Sequence, residues 1–269
     1  MKILAIDYDG VIVDSVLESL FISHNAYLKL YGKNKREMFG GKLLTFQKWP
    51  AIQKKYKKDI QYYSSLRPYI RGATDYGLIQ KIMEEGKSIY NQREFDEYRK
   101  TVQFDFQKFH DLFYLERKKV QQENYTGWLS LEPPFQEVLK GIRQFISEGL
   151  KVVIATSNRR EYIADTFLPQ YFNIKIDQDD ILDFSFGEDK SIQMQYLQEK
   201  YQLNYENICF IDDQLAHLEL VHDLGINVVL AGWSYDTSQQ KKDALQKGFP
   251  LAEKEEDFYP KIKKCFADK

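Results

Sequence analysis

The sequence predicts an α/β protein, a Rossmann-like three-layer core around a parallel sheet, interrupted by an inserted all-helical cap domain. Three observations predict it. Short apolar runs that read as buried strands alternate with helical periodicity at the N-terminus and again after residue 130. Polar clusters stand at the ends of those runs, as Asp7-Tyr8-Asp9-Gly10, Thr156-Ser157-Asn158 and Asp212-Asp213. Between the two α/β stretches, residues 33–130 hold no buried-strand run. The implied organisation is a core from 1–15 and 130–269 and a cap from 16–129.

Element by element, Ile3 to Ile6 is a short apolar run ending in Asp7, and Gly10 permits a sharp turn after it. Val16 to Leu30 fits a helix. In the insert, Tyr76, Ile79, Ile82, Met83 and Ile89 recur at helical spacing, as do Phe95, Tyr98, Val102, Phe106, Phe109, Leu112, Phe113 and Val120. Such aromatics serve helix–helix packing. Pro133-Pro134 marks a boundary, and Phe135 to Glu148 reads as a helix stopped by Gly149. Strands are expected at Val152–Ala155, Ile174–Ile176, Ile208–Ile211 and Val228–Leu230. Helices are expected at 160–171, at Ser191–Tyr201 and along Leu215, Leu218, Val221 and Leu224, the last closed by Gly225.

Composition sets the class. With 43% hydrophobic and 29% charged residues, the chain can bury a sizeable core and lacks the bias of a disordered protein. No apolar run approaches the ~20 residues of a membrane span, and the N-terminus shows no signal-peptide pattern. Two cysteines imply no disulfide framework, so a cytoplasmic location is the expectation and Cys209 reads as a core thiol. Residues 15–130 carry 21 Lys/Arg against 13 Asp/Glu, while the remainder is acidic. That asymmetry is either a solvated basic surface or a basic lid above an acidic core, which would attract an anionic substrate. Basic residues scattered among acids do not favour nucleic acid.

The polar clusters lie at the C-terminal ends of the expected strands, the edge where open parallel sheets bind ligands. Asp7-x-Asp9-Gly10-Val11, then Thr156, then Lys190 at a helix start, then Asp212-Asp213 resemble, in this order, the four motifs of the haloacid dehalogenase superfamily. The resemblance covers about 1–15 and 130–232, and residues 33–130 fall where helical-cap members carry their insert. Alone, Asp-x-Asp-Gly reads equally as a turn with an Asx cap, and Thr156-Ser157-Asn158 or Asp212-Asp213 as helix caps. Four motifs in order are far more specific.

The resemblance implies a magnesium-dependent phosphatase acting on a small phosphorylated metabolite through an aspartyl-phosphate on Asp7. A carboxylate can attack phosphorus and split one hard step into two. Asp9 is implied as general acid/base. Asp7, the Asp9 carbonyl and Asp213 are implied as Mg2+ ligands, with Asp212 binding directly or through water. Thr156 and Lys190 would hold the phosphoryl group and offset charge, with Lys175 and Lys200 as rivals for the lysine. The Ser157 and Asn158 amides, and Arg159 or Arg160, are candidates for substrate contact. In the cap, Gly40-Gly41-Lys42 and Arg67-Pro68-Tyr69-Ile70-Arg71-Gly72 are candidates for the substrate entrance. His217 departs from the superfamily, where many relatives carry an acid; it reads as support for Asp213 or as solvent-facing.

Two alternatives share these motifs: a phosphosugar mutase, which returns the phosphoryl group to a second hydroxyl, and a non-catalytic metal- or partner-binding scaffold. The acid at Asp9 disfavours dehalogenase chemistry.

Overall fold

The computed structural model describes residues 1–32, 36–163, 173–187 and 189–267. The chain divides into two compact units, Met1–Asp14 with Pro134–Lys269, and Ser15–Pro133.

The first unit is built on a six-stranded parallel sheet in the order β3-β2-β1-β4-β5-β6. Its strands are β1 (Ile3–Ile6), β2 (Lys151–Ala155), β3 (Ile181–Leu182), β4 (Ile208–Asp212), β5 (Asn227–Ala231) and β6 (Leu251–Ala252). β1 runs in the middle, with Ile3 opposite Lys151 on one side and Ile208 on the other. Side chains alternate between faces along each strand, and both faces are covered, so the strands read as continuous apolar runs. Ile3, Ala5, Val153, Phe210 and Val228 share one core with Met194, Leu197, Leu218 and Ala244. Those last four sit on helices Lys190–Tyr201, Leu215–His222 and Ser238–Gln246. Helix Gln136–Ser147 packs on β2 and against helix Phe258–Ala267, which also packs on β4 and β5. Gly141 permits that helix–helix approach: a Cβ there would lie 2.5 Å from Phe258.

Among the described residues the second unit is all helical, with α-helices Val16–Tyr31, Trp49–Lys55, Lys57–Leu66, Ala73–Glu85, Gln92–Thr101, Phe106–Glu123 and Tyr125–Leu129. The first of these packs on Phe106–Glu123 and Ala73–Glu85. Two of its buried carboxylates illustrate pairing within the unit. Glu18 accepts from Arg117 Nε at 2.7 Å and Nη2 at 2.8 Å, and from Trp128 Nε1 at 3.2 Å. Glu116 takes Lys29 and the Asn25 amide. Such partners satisfy the desolvated carboxylates.

Several expectations are corrected. Ile174–Ile176 is not a strand; only Ile174 of the three is buried, and the edge strand is Ile181–Leu182, paired to Ile154 and Ala155. Ile89 lies beyond its helix, which ends at Gly86 in the left-handed conformation, φ 66°. The stripe from Phe95 to Val120 is two helices, because Asp105 caps a new start by accepting from the Lys108 amide. Most of the helix expected at 160–171 lies outside the described residues. The elements after residue 232, two helices and β6, complete the sheet where no expectation had been drawn.

Candidate active site

The sheet delivers its polar residues to one edge. β1 ends at Ile6, and the Asp7 amide still donates to the Ile211 carbonyl at 3.0 Å, so Asp7 is held at the strand end beside β4. The chain then turns back on itself, with the Ile12 amide bonded to the Tyr8 carbonyl and the Gly10 amide to the Val13 carbonyl. Gly10 has φ 86°, and a Cβ on it would lie 2.7 Å from the Asp213 carboxylate and 2.8 Å from the Tyr235 ring. Both the backbone conformation and the close approach of Asp213 therefore require glycine.

Asp7, Asp212 and Asp213 are all buried, and each offers a carboxylate oxygen within 4.8 Å of the others. Lys190 opens its helix beside Asp189, whose side chain accepts from the Ser191 amide. Its buried ammonium donates to Asp7 Oδ1 at 2.8 Å and to the Ala155 carbonyl at 2.5 Å. The two rival lysines are elsewhere: Lys200 pairs with Asp180, and Lys175 is exposed. Burial pushes the Asp7 carboxyl up to about 6; Lys190 opposes the rise, while Asp212 and Asp9 add to it. Burial also acts to raise Asp212, but His217, Lys190 and the Gln214 amide outweigh it and hold that carboxyl below its ordinary value.

At the end of β2 the buried Thr156 accepts the Asn158 amide on Oγ1 at 3.0 Å. Here an expectation changes. The Asn158 amide is turned to Thr156, and it is the Asn158 side chain that reaches the site, donating from Nδ2 to Asp9 Oδ2 at 3.2 Å. Ser157 is half-buried in the same turn. Arg159 is exposed, its guanidinium 5.2 Å above the Phe184 ring, and the Arg160 amide donates to Asp183. His217 contacts Asp212 rather than Asp213, with Nδ1 3.0 Å from Oδ2.

In the helical unit, Arg71 forks onto Asp96 at 2.6 and 2.8 Å, and Arg67 is buried. The Lys42 carbonyl meets His24 Nε2 at 3.1 Å. These pairings serve the unit's own packing.

Sequence reasoning passed over three residues of the α/β unit. Gln193 is buried and donates to the Thr156 carbonyl at 3.0 Å, fixing the end of β2. Tyr235 covers Gly10 and donates to Asp14 at 2.9 Å. Asp236 has both carboxylate oxygens closed to solvent, and burial pushes it up to about 8, with Lys241 opposing and Asp212 adding. Tyr235 and Asp236 follow β5, so the strand-end rule that flagged Asp212 would have flagged them as well.

The family model described as haloacid dehalogenase-like hydrolase matches residues 1–225. Solved structures share the fold over nearly the whole chain. A "predicted phosphatase" from Clostridium acetobutylicum is 12% identical, covering 98% of each chain at a TM-score of 0.60. A "predicted phosphoglycolate phosphatase" from Haemophilus somnus 129PT is 15% identical, covering 97% of each chain at 0.57. A hydrolase from Pseudomonas syringae is 12% identical, covering 98% of this chain and 99% of its own, at 0.57. At these identities the likeness shows the fold. No curated protein matches significantly.

Proposed function

This chain belongs to the haloacid dehalogenase-like hydrolase family, and from that premise we propose that it is a magnesium-dependent phosphatase of a small phosphorylated metabolite. The observation that carries the reading is the buried cluster of Asp7, Asp212 and Asp213 with Lys190 on Asp7.

The donor set fits magnesium. Three buried carboxylates so close together repel one another, and one ammonium does not balance them. Hard oxygen donors of this kind suit Mg2+, which takes few carboxylates and keeps several waters. Asp7, Asp213 and the Asp9 carbonyl would hold the ion, with Asp212 beside them. When bound, it would offset the charge of the carboxylates and of the phosphate.

The chain's own groups then account for the reaction. Asp7 attacks phosphorus in line and forms an aspartyl-phosphate, with Lys190 fixing Oδ1. Asp9, aimed by Asn158, gives a proton to the leaving oxygen and later takes one from the attacking water. Thr156 and Lys190 supply donors to the transferring phosphoryl oxygens, acting by electrostatic preorganisation. With water as the second nucleophile, its oxygen bonds to phosphorus as the bond to Asp7 breaks, and inorganic phosphate leaves with the Asp7 carboxylate restored.

The test is phosphate release from an aryl phosphate and from a panel of phosphorylated metabolites. Turnover should require Mg2+, be lost with EDTA, and fall at least about a thousandfold in Asp7→Asn. Absence of turnover across the panel, with magnesium present, would sink the reading.

A further inference from the structure

The imidazole of His217 is poised on the carboxylate cluster in a way the reaction scheme leaves unused. It stands in the first turn of helix Leu215–His222, directly after the Asp212-Asp213 turn, and its own amide donates to the Gln214 carbonyl at 3.1 Å. Its Nδ1 lies 3.0 Å from Asp212 Oδ2, while the other oxygen, Oδ1, accepts the Gln214 amide at 2.8 Å. An ionised carboxylate only accepts, so Nδ1 carries the proton in this contact. Asp212 is fully buried, and the His217 side chain is 12% exposed.

We infer that His217 is a positioning residue for the cation site, fixing the rotamer of Asp212 so that its carboxylate stays in register with Asp7 and Asp213. The inference rests on the magnesium reading given above.

The physical argument is geometric. A carboxylate has two free torsions, and a single donor leaves it free to swing about that contact. Here two donors grip the two oxygens separately, one from the backbone and one from the imidazole. Without His217, Asp212 keeps only the Gln214 amide and can rotate beside two like-charged neighbours that repel it. Octahedral Mg2+ tolerates little misplacement of its oxygen donors, whether they bind directly or through an ordered water. Partners that orient metal-binding carboxylates commonly contribute about 10- to 100-fold in metal affinity. A carboxylate at position 217 would instead bring another negative charge to Asp212 and no N–H.

The test compares His217→Leu and His217→Asn. Leucine fills similar space with no donor, whereas asparagine places an amide NH2 at the δ position of the lost imidazole nitrogen. EDTA-stripped proteins are titrated with Mg2+ alone in a calorimeter, and their metal-free melting temperatures are measured alongside. The expected result is about a 10-fold or greater loss of Mg2+ affinity in His217→Leu. Recovery to within about threefold of the wild type is expected in His217→Asn, since the δ donor is restored. Were the role only structural, the metal-free melting temperature would fall with no change in affinity. Wild-type affinity in His217→Leu, or equal weakness in both variants, overturns the inference and leaves the phosphatase reading standing. A wild-type protein that takes up no Mg2+ overturns both.

Discussion

In the helical unit three buried acids each meet a cation, Glu18 with Arg117, Glu116 with Lys29 and Asp75 with Arg99, whereas the sheet ends of the α/β unit gather Asp7, Asp212 and Asp213 around the ammonium of Lys190. Both arrangements desolvate charge. The first sets one charge against its opposite within each pair. The second crowds like charges, a repulsion that a bound cation would relieve. Burial of charge therefore points to function only where signs are left unbalanced, and the two units of this chain carry one example of each.

The same contrast has opposite pH signatures. His24 of the helical unit is buried and neutral, with burial pulling its pKa down to about 4 and only the Lys42 carbonyl and Gln80 resisting. Its folded pKa lies below the unfolded value of 6.5, so the unfolded chain binds the proton more readily, and stability is lost as pH falls from about 6.5 to 4. Asp7 and Asp236 behave the other way. Their folded pKa values, about 6 and about 8, lie above the unfolded 3.8, so the folded state binds the proton more readily. Metal-free stability from these groups is present below about pH 4 and lost as pH rises through about 6 and about 8.

The sharpest way to break the comparison is at the reaction itself. Asp9→Asn should still capture phosphate on Asp7 from an ester with a good leaving group, yet release it about 100-fold or more slowly, because the base for water is gone. Rapid-quench measurement of the burst and of steady turnover checks this. Equal loss of both phases would argue against Asp9 as the acid/base.

Next in size is the pairing within the helical unit. Arg117→Leu strands Glu18, which is fully buried, and should lower stability by about 3–5 kcal/mol in denaturant unfolding. The double substitution Glu18→Leu with Arg117→Leu should recover most of that loss. If Arg117→Leu alone costs less than ~1 kcal/mol, the pair is not what neutralises the unit's core.

The pH-dependent effects are confined to part of the pH range. Asp236→Asn should raise the metal-free melting temperature by a few degrees at pH 9 and leave it unchanged at pH 4. His24→Phe should remove an acid destabilisation of about 3 kcal/mol between pH 6.5 and 4, followed by Trp49 and Trp128 fluorescence in the helical unit. A gain for Asp236→Asn that is the same at both pH values would mean that burial of its charge is not the cause.

How far these features could be read before folding depends on the kind of signal. Ile3–Ile6, Val152–Ala155 and Ile208–Ile211 are continuous apolar runs because parallel strands are buried on both faces, and such runs survive in one dimension. β3 is not legible in the sequence, because a two-residue edge strand, Ile181–Leu182, leaves no periodicity to read. In the stripe from Phe95 to Val120, periodicity ran on through a break that the Asp105 cap creates.

By itself the sequence determined the alternation of strand and helix, the all-helical character of the insert, and the placing of acids, threonine and lysine at strand ends and a helix start. Those are local patterns, set by side-chain period and turn chemistry. Only the tertiary structure decided which of several lysines meets Asp7, that Asn158 serves Asp9 through its side chain, that His217 grips Asp212, and that Asp236 is shut away from solvent. Each of those contacts joins residues that sheet order and helix packing bring together, or depends on which way a side chain turns. Their strength depends on burial, a property of the folded volume that no stretch of sequence carries alone.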